Sequence, residues 1–324
     1  MHPAFSVIFF TAISGCGYGL LFLLGVSLAA DFQLLARSES ILVLAVGAVF
    51  AAAGLTSSLF HLGQPRRAWR ALSQWRSSWL SREGVAAILS FVPVIALGVA
   101  VWRGGSEGCV RAGAVALAIM AVVTVTCTAK IYTSLKTIRA WHNSLALPIY
   151  FLFALLGGAA MLWTLLASSG SPGALAGALP VVVAIVAAAC ALLKREYWKF
   201  IDTTPTVSTA ESATGLGRFG TVRGVEAPHT EENYLTREMG FVLARKHAAR
   251  LRVIALLLFA LLPVVCSAIA LLLATLGRGP AWIACSAVVA TLGVIAGTFV
   301  ERWLFFAEAK HVVMLYYAGA RAED

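Results

Sequence analysis

The chain has 324 residues, of which 60% are hydrophobic and 12% charged, and it carries a formal net charge of +10 at pH 7. Soluble domains are about 45–50% apolar and about 25% charged, so this chain has too little polar surface to cover its apolar content with water. The same figures exclude disordered, collagen-like and low-complexity classes and leave an integral membrane protein.

A bilayer offers no partners to backbone N–H and C=O groups, so a crossing segment must be a helix of about 20 apolar residues. In chain order such windows fall at Phe5–Ala29, Ile41–Phe60, Val85–Trp102 and Val110–Ile131. They continue at Leu145–Ala167, Ala174–Leu193, Ile254–Leu276 and Ala281–Val300. The prediction is an all-α, polytopic membrane helix bundle of about eight transmembrane helices. It forms a single domain over residues 1–324, with a long polar loop at 194–253. The first window lacks a basic n-region and is too long for a signal peptide, so it reads as a span. Pro93, Pro180 and Pro263 fall inside spans and predict kinks, and Gly293-x-x-x-Gly297 predicts a close helix–helix contact.

The connections alternate in charge. Lys and Arg number five in His61–Gly84, three in Lys130–His142, ten in Lys194–Arg252 and three after Phe299. These make 21 of the 25, and only Arg37, Arg103, Arg111 and Arg278 fall on the other side. The positive-inside bias therefore places both termini and the basic loops in the cytoplasm.

Several chemistries find no support. The six cysteines lie far apart, with no C-x-x-C or C-x-x-H spacing, so neither a zinc site nor a protein-ligated iron–sulfur cluster is predicted. None of the six histidines lies in the middle of a span, which argues against a bis-histidine haem. No span carries an acid at its centre, which disfavours a proton pump or ion-coupled transporter. Gly215-Leu216-Gly217-Arg218-Phe219-Gly220 spells G-x-G-x-x-G, but no apolar strand precedes it, so it reads as a solvated turn.

What remains is chemistry gathered at the basic boundary. His61 ends the second span and Glu83 opens the third. Between them Trp69, Leu72 and Trp75 recur at near-helical spacing among arginines, which reads as an interfacial amphipathic helix. An aromatic belt with snorkelling arginines is the competing reading. Lys130, Tyr132, Trp141, His142 and Asn143 decorate the same boundary, and Glu301, Arg302 and Glu308 follow the last span, partly paired. An imidazole and a carboxylate at the lipid edge suit a quinol headgroup, which releases protons as its electrons leave. The alternative is an interfacial salt bridge.

The segments His61-Leu62-Gly63-Gln64-Pro65, Ala68-Trp69-Arg70-Ala71 and Ser77-Ser78-Trp79-Leu80-Ser81-Arg82-Glu83 resemble the membrane anchor subunit of dimethyl sulfoxide reductase. So do Ile131-Tyr132-Thr133-Ser134-Leu135, Trp141-His142-Asn143 and Ala210-Glu211-Ser212-Ala213-Thr214-Gly215-Leu216-Gly217. The resemblance extends over essentially the whole chain. It implies a haem-free, eight-helix anchor in a bacterial inner membrane that exchanges electrons between a quinone, menaquinone or ubiquinone, and an iron–sulfur partner subunit. Molybdopterin and the iron–sulfur clusters would belong to the partner subunits only. The family's quinol-handling His and Glu match His61 and Glu83. Arg67, Trp79, Tyr132 and His142 are further candidates for the quinone pocket. The membrane subunit of the quinone-linked sulfite-oxidising complex is similar to the same family and would run electrons from sulfite into quinone. A purely structural anchor without a quinone site is the alternative function.

Overall fold

Amides in the apolar windows find their partners within their own helices, as a hydrocarbon solvent demands. The structure is a computed structural model that describes residues 4–31, 35–61, 64–170, 174–204, 208–222 and 247–315. The side chains of His61, Pro65 and Ala174, Leu175 and Ala176 lie outside that description. The helices are α1 (Phe5–Ala30), α2 (Arg37–Ser57), α3 (Trp79–Arg103), α4 (Glu107–Thr133), α5 (Ala146–Ser169), α6 (Ala174–Thr203), the short α7 (Ala210–Thr214), α8 (Ala248–Thr275) and α9 (Pro280–Ala307). All but α7 are long and apolar enough to cross a membrane, which makes eight spans in an all-α polytopic bundle.

Alternating direction brings the start of α1, the end of α9 and the basic connections to one end of the bundle, called the basic end below. α1 and α5 form its middle. Of their most apolar stretches 67% and 72% are buried, against 33% for α3 and α8, which face lipid. Small residues let the central backbones touch. A Cβ on Gly19 would collide with the carbonyl of Ala154, and one on Gly158 with the backbone of Gly19 and Leu20. The close contact expected at Gly293 and Gly297 is present: a Cβ on Gly297 would stand 2.5 Å from the amide nitrogen of Phe259 on α8. Phe259 sits in a π-helical turn, Leu257–Leu261, just ahead of Pro263. Proline cannot donate to the preceding turn, and the widened turn accommodates that loss.

Several helices outrun their hydropathy windows, α3 by starting at Trp79 rather than Val85. α6 continues past Leu193 to Thr203, α8 begins at Ala248, and α9 continues past Val300 to Ala307. The connection between α6 and α8 therefore runs from 204 to 247, shorter than the 194–253 read from hydropathy. Residues 205–207 and 223–246 of it lie outside the described residues. Its described part holds α7 and a 3-10 turn, Leu216–Phe219, joined by Gly215 at φ +68°. The G-x-G-x-x-G string is thus a capped turn, with no strand before it among the described residues.

The interfacial segment before α3 is helical as expected, though wound as a 3-10 helix, Pro65–Gln74. Trp69 and Trp75 are exposed, Leu72 turns inward against Gly84, and Arg70 and Arg76 lie against the Trp69 and Trp75 rings.

A buried carboxyl and an ion-pair network at the basic end

Glu83 lies in the second turn of α3, so the helix that begins at Trp79 carries it into the bundle, where it is 4% exposed. Its Oε1 accepts a hydrogen bond from the hydroxyl of Thr128 on α4. Among the described residues no Lys or Arg pairs with it. The neighbouring Arg82 points elsewhere. Its guanidinium donates to the carbonyls of Trp75 (2.9 Å) and Arg76 (2.6 Å) and covers the Trp79 ring at 4.3 Å, pinning the interfacial helix to the start of α3.

The other candidates separate. His61 closes the 3-10 turn Ser58–His61 at the same end, but its side chain lies outside the described residues. Trp79 is half-buried beneath Arg82, and Arg67 is exposed on the interfacial helix. Tyr132, one turn beyond Thr128 on α4, is buried among Trp141, Tyr150, Phe305 and Phe306, with ring centroids 5.2–5.9 Å away. That cluster joins α4, α5 and α9, and Trp141 Nε1 donates to the carbonyl of Phe305 at 2.9 Å. His142 is exposed, its Nδ1 2.6 Å from the carbonyl oxygen of Thr133. Glu83 thus comes together with Thr128, which hydropathy could not single out, while Arg67 and His142 stay at the surface.

Two adjoining spaces lie nearby, and Thr128 lines the first of them. The first is a polar cavity of about 10 Å³, lined by Thr11, Ser14, Tyr18, Thr128, Tyr150 and Arg302 among others. That is room for about one water, given ~10–15 Å³ per site. The second is an apolar pocket of about 220 Å³ between α1, α4 and α5, bounded by Phe22, Ala121, Val122, Phe151 and Leu155. Val122 at its rim is 38% exposed, so the pocket opens toward lipid. Tyr18, Val125 and Ala154 line both spaces and form the wall between them. The Tyr18 hydroxyl is 3.1 Å from Ser90 Oγ on α3.

Beyond the cavity lies an ion-pair network missing from the hydropathy reading. Lys194 Nζ on α6 is 2.7 Å from Glu301 Oε1 on α9, and both side chains are fully buried. Arg302 Nε is 3.3 Å from Glu301 Oε2, with its guanidinium 3.9 Å from the centroid of the Tyr150 ring. Nearer the surface Arg252 bridges Glu308 (2.8 Å) and Asp202 (2.6 Å). Burial pushes the Glu308 carboxyl above its ordinary range, while the adjacent Arg252 pulls it back. The pairing expected among Glu301, Arg302 and Glu308 holds for the first two. Glu308 instead bonds Arg252.

Likeness to known proteins agrees with this architecture. Residues 1–307 match the family described as DMSO reductase anchor subunit (DmsC), an extent that ends where α9 ends. A sulfite dehydrogenase subunit of Allochromatium vinosum is 31% identical over 337 aligned positions, which cover 98% of this chain and 99% of that protein.

Proposed function

Because the chain belongs to the family of DMSO reductase anchor subunits and is a multi-pass membrane anchor subunit, we propose that it exchanges electrons between a membrane quinone and an iron–sulfur partner subunit docked at its basic end. The observation that carries this reading is Glu83, a carboxyl buried inside the first turns of a membrane helix with a hydroxyl partner and no cation among the described residues. Ionisable groups placed so are costly and mark functional sites. A quinone supplies two-electron, two-proton chemistry when bound. Its headgroup needs a proton-exchanging partner and its tail needs an apolar way in from lipid. Glu83 with Thr128 fits the first need, and the lipid-facing pocket behind Tyr18 fits the second. His61, at the same end, is the second proton-handling residue of this reading.

The partners are an iron–sulfur subunit and a molybdopterin catalytic subunit, both on the cytoplasmic side of a bacterial inner membrane, where the basic end lies. The full-length likeness to a sulfite dehydrogenase subunit favours sulfite as electron donor. Sulfite and water would yield sulfate, two protons and two electrons at the partner subunits, and quinone would take up both electrons with two protons. Purification from native membranes tests this, with mass identification of bound subunits and assays with sulfite and with dimethyl sulfoxide. His61→Ala and Glu83→Gln should leave the complex assembled and its dye-linked activity intact, while quinone-coupled turnover falls by about tenfold or more. Unchanged quinone-coupled rates in an assembled complex would leave this chain a structural anchor.

A further inference from the structure

We propose that the Lys194–Glu301–Arg302 cluster, reached from Glu83 through Thr128 and the polar cavity, is the route by which quinone protons pass between Glu83 and water at the basic end. This rests on the reading of Glu83 as the proton-exchanging residue of the quinone site.

Glu83 is 4% exposed, so its carboxyl meets the protein rather than bulk water. Its partner Thr128 lines the cavity of about 10 Å³, and Arg302 lines the same cavity. Its walls include Thr11, Ser14, Tyr18, Tyr150 and Thr298; the hydroxyls of Thr11, Ser14 and Thr298 already donate to carbonyls of their own helices, which leaves their oxygens to accept from one water. Arg302 is fixed by Glu301, whose other oxygen meets Lys194. These charges sit deep. Glu301 lies six residues before the end of α9, roughly 9 Å along the helix axis. The rings of Tyr197 and Trp198, 4.0 and 4.9 Å from Lys194 Nζ, wall the ammonium in. Outward, Glu308 follows Glu301 by two turns on the same helix face. Its bond to Arg252 leads to Asp202, whose side chain is 53% exposed.

The balance is simple. Reduction of one quinone consumes two electrons, delivered by the partner subunit, and two protons. Each proton enters from water at Asp202 and Glu308, passes through the Glu301–Lys194 pair and the cavity water to the Glu83 carboxyl, and leaves for a quinone oxygen. Quinol oxidation reverses every step, and no electron travels this way. An ion pair that only clamps α6 to α9 is the competing account; neutralising it removes the carboxylate from the buried Arg302, a cost in stability that by itself leaves the turnover of an assembled complex unchanged.

The test is the neutral double variant Lys194→Met/Glu301→Gln in the assembled complex. We expect dye-linked activity within about twofold of the parent and an unchanged quinone KM. Quinone-coupled kcat should fall by about tenfold or more, with a larger solvent deuterium isotope effect. A second variant, Thr11→Val/Thr298→Val, keeps the cavity's shape and removes two hydroxyls, and it carries the test if the charge variant fails to assemble. It should show the same split between kcat and KM. Full-speed turnover with the parent isotope effect, in whichever of the two assembles, overturns the route. If Glu83→Gln is slow and these variants are not, the route alone fails. If Glu83→Gln is itself at full speed, the reading beneath it fails as well.

Discussion

The hydroxyl of Thr128 on α4 donates to the buried carboxyl of Glu83 on α3, near the basic end of the helical hairpin the two form. The same hydroxyl lies 3.1 Å from the carbonyl of Thr124 in its own helix, a second acceptor that competes with the carboxyl for its one proton. Replacing Thr128 by Val removes the donor and keeps the shape. A hydrogen bond left unmade at a buried polar group costs about 1–3 kcal/mol. Thr128→Val should therefore slow quinone-coupled turnover several-fold, while Thr128→Ser should restore most of it. Equal rates in the two variants would show that the contact plays no part in turnover.

Orientation follows from charge. Reporter fusions after Gln74 and Gly217 should show cytoplasmic activity, and fusions after Gly105 and Gly170 should show activity on the opposite face. The reverse pattern would move the partner subunits to the periplasm.

Arg66, Arg67 and Arg70 all stand exposed on the interfacial 3-10 helix, a surface suited to steering an acidic partner. Arg66→Glu/Arg67→Glu should release the catalytic subunits from membranes at moderate salt, as followed by sedimentation. Retention as tight as the parent's would move the docking surface to another basic connection.

These expectations differ in how far the residues alone announced them. The span count and the one-sided charge were readable because hydropathy and Lys/Arg position report lipid and headgroup contact directly. Glu83 was readable as a boundary residue, but the window starting at Val85 left it outside. The helix starts at Trp79 and takes it in. Lys194 and Glu301 were read as lying beyond their spans for a related reason: a window average stops at a charge, although Leu304, Phe305 and Phe306 continue the buried face beyond it. Aromatic residues resuming one turn after a charge, as at Tyr197 and Trp198, were the available signal. Thr128 left none, since a hydroxyl within an apolar helix gains meaning only from the register of the helix packed beside it.

At Gly19 and Gly158 the seam between α1 and α5 has no room for a side chain. Gly158→Val would drive a branched group into the backbone of Gly19 and Leu20, at the upper end of the about 1–3 kcal/mol typical of overpacking. Detergent-solubilised protein should melt several degrees lower. Gly177→Ala, on α6 with nothing within 4 Å, should melt no lower than the parent. A normal melt for the first variant would contradict the packing of the two central helices.

His311 follows α9, where its Nδ1 accepts the amide of Val313 at 3.0 Å. Burial lowers its pKa below the ordinary 6.5, so the neutral ring is the folded form. Its contribution to stability is present above the unfolded value and is lost as pH falls through the lowered one. A nitrogen-15 titration should show its midpoint below the ordinary 6.5, and a midpoint above that value would contradict the contact.

The connections at the end away from the charge are short: α3 passes to α4 through Gly104, Gly105 and Ser106, and α8 to α9 through residues 276–279. That face offers a protease almost nothing to cut and an antibody almost nothing to grip. A soluble protein meeting those two connections finds little to hold, so we expect assembly from the compartment that the longer, basic connections face, with the other compartment meeting little more than membrane.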